Sequence, residues 1–140
     1  MEKPSTPFAP VAGPGVWYGR DLQPRTDWIR HFSAAELAEL DAAVRAFKSS
    51  GQPLADISSS NFPLGAFGDT LRGLLRELLE GRGFFMLRGL PVERYSREEQ
   101  AIAYMGIGAH LGRPFHFRPR QNPSGCYIFN TIAKSGHRLR

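Results

Sequence analysis

Between Gly81 and Pro114 the chain reads GRGFFMLRGLPVERYSREEQAIAYMGIGAHLGRP, and this segment restricts the fold most because it sets a strand between two helix-forming stretches. Phe84-Phe85-Met86-Leu87 is a short apolar run flanked by glycines, which predicts a buried strand rather than more helix. Arg88-Gly89-Leu90-Pro91 then turns the chain out of the strand. Ser96, with Glu99 three positions on, forms a capping box. The helix it starts continues through Ile102, Tyr104 and Met105 towards Leu111 and stops at Gly112. Gly106 and Gly108 each cost about 1 kcal/mol relative to Ala in a helix, so they are read as points of close packing against a sheet.

Two more helices precede the strand. Ser33 and Glu36 make an earlier capping box, and Leu37, Leu40, Val44 and Phe47 recur at steps of three and four on one face before Gly51-Gln52-Pro53 ends the helix. The next helix is expected from about Asp69 or Thr70 to Glu80. Leu71, Leu74, Leu75, Leu78 and Leu79 form its core-facing stripe, and Gly81 is its stop. A loop joins the two, with Asp56 and Ser58 in it. No histidine lies near that pair in sequence, so it is not read as a nucleophile.

The first 30 residues are rich in Pro and Gly and read as an extended arm. Phe8, Trp17, Tyr18, Trp28 and Ile29 on this arm predict that it lies along the domain surface and buries its aromatics. Beyond Pro114 the character changes, and Cys126 to Ile132 is the one strand expected there. The organisation read from the sequence is thus an arm over 1–30, a domain portion over 31–114 and a basic tail over 115–140.

The net charge of +5 belongs to that tail. Residues 1–99 hold 12 Lys/Arg and 13 Asp/Glu, whereas residues 100–140 hold six Lys/Arg and no acid. These cations share no helix face and accompany no recognised nucleic-acid motif, which argues against a nucleic-acid partner. No apolar run approaches the roughly 18 residues of a membrane helix. The N-terminus lacks a signal peptide's basic start and apolar block, so a cytoplasmic setting is expected. The single cysteine, Cys126, makes neither an intrachain disulfide nor a Cys-rich zinc site, and it is read as a buried thiol.

The order of helix, Gly-Phe-Phe-Met-Leu-Arg-Gly strand, Pro turn, Ser-capped helix and Leu-Gly-Arg-Pro exit resembles the TauD/TfdA-like family of iron(II)- and 2-oxoglutarate-dependent dioxygenases. The resemblance covers about residues 30–114. It implies an α+β chain: the N-terminal helices and first strand of a double-stranded β-helix, or jelly roll, with the sheet incomplete. It also implies an oxidoreductase that hydroxylates a small organic substrate while 2-oxoglutarate becomes succinate. Family members hold iron with a His-x-Asp/Glu pair and a distant second His, and a downstream Arg pairs with 2-oxoglutarate. Three ligands on one face leave room for a bidentate oxo-acid and O₂.

This ligand set does not carry over. The four histidines are His31, His110, His116 and His137, and two positions after them stand Ser33, Gly112, Arg118 and Leu139. Arg118 is a cation and cannot replace a carboxylate. His116 and His137 are read as exposed tail residues, and Arg88 as a partner of loop carbonyls. Arg113, Arg118 and Arg120 are a weak anion signal without a Gly-rich loop or helix N-terminus beside them. No catalytic, cofactor-binding or metal residue is therefore assigned. Neither iron nor 2-oxoglutarate is expected to bind this chain, which reads as an N-terminal fragment inactive by itself. The alternative is a small non-catalytic helical interaction module with a basic tail, separable by the cooperativity of its unfolding.

Overall fold

A computed structural model describes residues 10–117 and 126–130. Its elements run α1 (Gly19–Leu22), β1 (Ile29–His31), α2 (Ala34–Ser50), a 3-10 turn (Leu54–Asp56), α3 (Ala66–Glu80), β2 (Met86–Arg88), a second 3-10 turn (Val92–Arg94), α4 (Arg97–Leu111), β3 (Arg113–Phe117) and β4 (Cys126–Asn130). Among the described residues the architecture is thus mixed, three long helices with two small two-stranded sheets. Among the described residues no helix is long and apolar enough to cross a membrane.

The two capping boxes form as the sequence predicts. At α2 the Glu36 amide donates to Ser33 Oγ and the Ser33 amide to Glu36 Oε2 at 2.9 Å, and Ser96 and Glu99 repeat the arrangement at α4. Each box satisfies two amides that have no partner inside the helix. Helix α2 ends where Gly51 takes φ 66°, a left-handed conformation that glycine adopts without a Cβ penalty. The core lies between α2 and α4: Leu40, Ala43, Val44 and Phe47 meet Ile102, Ala103 and Met105, with Ile57 and Phe62 closing it from the intervening loop. In that loop Ser58 and Asn61 bind each other through backbone and side chain, which is the structural task of Ser58.

Helix α3 begins at Ala66, earlier than the expected Asp69 or Thr70. The physical reason is a cap supplied from another helix. Both carboxylate oxygens of Glu39 on α2 accept from the start of α3, from the Ala66 amide at 3.2 Å and the Phe67 amide at 3.0 Å. Phe67 is consequently buried and packs 5.3 Å from the Phe32 ring. The expected leucine stripe is only partly a core face. Leu71 is fully buried, Leu74, Leu75 and Leu78 are half-buried, and Leu79 is 46% exposed.

The expected buried strand also needs correction. It starts at Met86 rather than Phe84 and is half-exposed, with Met86 at 40%. Its partner is β1, which spans the end of what reads as an extended arm over 1–30. The two run parallel, Ile29 opposite Met86, Arg30 opposite Leu87 and His31 opposite Arg88. Parallel strands require a crossover, here α2 and α3. Glu36 ties these parts together: besides capping α2, its Oε1 takes Arg30 of β1 at 2.6 Å and the Thr70 hydroxyl of α3 at 3.2 Å. Burial opposes its ionisation, but the Ser33 amide and the Arg30 charge outweigh it and hold Glu36 below its ordinary range.

Past α4 the structure has two strands where one was expected. β3 and β4 pair antiparallel, from Arg113 opposite Asn130 to Phe117 opposite Cys126. β3 therefore crosses position 114, with Pro114 inside it, a placement that suits an edge strand. β4 ends at Asn130, and Thr131 and Ile132 lie outside the described residues.

Candidate functional site

The structure places the histidines on separate elements. His31 ends β1 and is exposed, and His110 sits half-buried in the last turn of α4. The Nε2 of His110 lies 2.9 Å from the Phe62 carbonyl oxygen. A carbonyl only accepts, so Nε2 carries the proton and this nitrogen is committed to holding the loop. His116 stands in β3 opposite Tyr127, and His137 lies outside the described residues.

The other candidates are equally dispersed. Arg88 is exposed in β2, Arg113 is exposed at the start of β3, and Arg118 and Arg120 fall outside the described residues. Cys126 opens β4 opposite Phe117. Gly106 does allow close packing, but against the Phe62 ring rather than a sheet. Among the described residues no group of three or more His, Cys, Asp or Glu side chains is arranged to hold a metal ion. The donor chemistry does not fit an iron(II) facial triad either, since no His-x-Asp/Glu exists in the sequence and no acid follows Glu99.

Three charged constellations were not legible from sequence, because each is completed by a contact between residues more than 50 positions apart. Arg82, after α3, donates through Nε to Glu77 at 2.8 Å and through Nη2 to Asp27 at 2.9 Å, while Arg25 grips the same Asp27 at 2.6 Å. The Arg25 and Arg82 bonds hold Asp27 far below the usual carboxylate range, and Arg82 does the same to Glu77 more mildly. A groove of about 280 Å³ lies beside this cluster, with Trp28, Leu74, Phe84 and Phe85 in its wall. Lys48 near the end of α2 meets Glu99 at 3.0 Å, and the Ser96 amide with Lys48 lowers Glu99 to about 2. Tyr95 donates its hydroxyl to Asp41; burial first, then this bond, pushes its phenol up to about 12. These are fastenings between elements, and none converges with a histidine into a reaction centre.

No family model matches the chain. Two curated proteins do match most of it, and their likeness, together with the helix, strand and capped-helix order, supports the TauD-like family of Fe(II)/2-oxoglutarate dioxygenases. One is taurine hydroxylase-like protein SAT17 of Stachybotrys chartarum, 32% identical over 115 residues, which are 82% of this chain and 30% of that protein. The other is FR-33289 synthase of Streptomyces rubellomurinus, 27% identical over 103 residues, 74% of this chain and again 30% of the relative. The chain thus spans about 30% of the length of the curated relatives it matches.

Proposed function

We propose that this chain is the N-terminal portion of a TauD/TfdA-like oxidoreductase that hydroxylates a small organic substrate using Fe(II), O₂ and 2-oxoglutarate. The observation that carries the reading is the likeness to a taurine hydroxylase-like protein across 82% of the chain. In this reading residues 31–114 are the family portion, 1–30 its arm and 115–140 a divergent basic tail. Helices α2 to α4 pack outside a jelly roll, β1 and β2 belong to its margin, and the protein works in the cytoplasm.

What these residues do is scaffold work. Glu36 locks β1 to α2 and α3, Glu39 starts α3, and Phe62 on Gly106 fixes α4 against the loop. Iron and 2-oxoglutarate would supply the oxidising chemistry, and their ligands have to come from sequence other than these 140 residues. The chain alone is therefore inactive. Anaerobic Fe(II) titration in the presence of 2-oxoglutarate tests this, with no visible charge-transfer band and no succinate on admitting O₂ as the expected result. Succinate formed by the 140-residue chain would refute the inactivity. If the gene continues into a His-x-Asp/Glu segment, the longer product should form succinate, and failure to do so would refute the dioxygenase assignment.

A further inference from the structure

We propose that residues 13–27 form a strap that opens and closes as a unit over Phe84, hinged at Trp28 and with Arg82 as its latch, while the helical core stays folded. The strap has little burial of its own: from residue 10 to 27 every side chain is exposed except half-buried Leu22, and none belongs to the core cluster. Segments with few buried contacts open at low free energy, independently of the global transition.

The fastenings converge on one short loop. Trp17 donates its indole N–H to the Arg82 carbonyl at 3.2 Å and sets its ring edge-on to Phe84, with centroids 5.0 Å apart. Trp28 packs on the same Phe84 at 5.8 Å. The Arg82 guanidinium binds Asp27 of the strap on one side and Glu77 of α3 on the other. One residue thus holds the strap through both its main chain and its side chain. The hinge lies at Trp28, whose carbonyl accepts from the Met86 amide at 2.9 Å where the β1–β2 pairing begins.

The closed latch is imperfect. Arg82 Nη1 is buried without a hydrogen-bond partner among the described residues, which offsets part of what its two ion pairs contribute and keeps open and closed states close. Opening uncovers Phe84 and the groove that Trp28, Leu74 and Phe85 share with it. The inference does not depend on the dioxygenase reading.

Limited trypsin digestion of the 140-residue chain tests it, comparing cleavage after Arg20 and Arg25 in the strap with cleavage after Arg45 within α2. When opening is fast relative to cleavage, the rate follows the open population, so Arg82→Met should raise strap cleavage about tenfold while leaving Arg45 cleavage unchanged. Trp17→Leu, which leaves the α3 ion pair intact, should act in the same direction. Unchanged strap cleavage in both variants, or equal acceleration at Arg45, would overturn the proposal.

Discussion

The ring of Phe62 occupies the space that a Cβ on Gly106 would need. Phe62 is completely buried, and its backbone is held by His110, so the ring has nowhere to retreat. Gly106→Ala should therefore destabilise the chain by about 1–3 kcal/mol through overpacking, although alanine is the better helix former by about 1 kcal/mol. The check is the urea midpoint, which should fall with the slope unchanged.

Gly73 provides the opposite case on a neighbouring helix. It lies in the interior of α3, and a Cβ there would meet nothing within 4 Å. Gly73→Ala should raise stability by about 0.5–1 kcal/mol, and a lowered midpoint would show that the site is not open.

Glu39 caps α3 from α2, so its loss should act on a helix to which it does not belong. Glu39→Ala should cost about 1 kcal/mol, typical of a lost N-cap. Hydrogen exchange should quicken at the Ala66 and Phe67 amides and leave the middle of α2 protected. Unaltered exchange at these two amides would disprove the tertiary cap.

Glu99 titrates at about 2 instead of its ordinary 4.5. Its folded pKa is depressed, so the stability it contributes is present above pH 4.5 and is lost as pH falls towards 2. Across this window the wild type should lose more of its melting temperature than Glu99→Gln, which lacks the titrating group. Parallel curves for the two proteins would contradict the assignment.

Tyr95 should report at the alkaline end. Its phenol is raised from 10.0 to about 12, so the stability it lends is intact below pH 10 and declines as pH climbs towards 12. Absorbance titration of the phenolate should find one of the chain's four tyrosines ionising near 12. In Asp41→Asn that phenol should move down towards 10.0, since its partner's charge is gone.

What the sequence disclosed follows the range of each interaction. The Ser33–Glu36 and Ser96–Glu99 boxes were legible because donor and acceptor stand three residues apart. The start of α3 was not, because its cap comes from Glu39 on another helix. Leu79 was read as core from its spacing alone, yet periodicity says which residues share a face and not whether anything covers that face. β3 was hidden by Pro114, which reads as a breaker, although Phe115 and Phe117 alternating around His116 carry a strand's period. The Arg82 cluster is completed by Asp27, 55 residues away, for which no local signal exists. The lack of a His-x-Asp/Glu pair needed only the order of residues, and the family resemblance needed only the order of short motifs.

The parallel register of β1 with β2 has a consequence for how a growing chain acquires this shape. Ile29 to His31 leave the ribosome before their partners Met86 to Arg88, so the pairing waits until the chain between them has been brought together. Closing so long a loop costs chain entropy, and the helices α2 and α3 that lie between the two strands in sequence shorten the distance to be closed. Until β2 has been made, β1 has an edge with no partner strand.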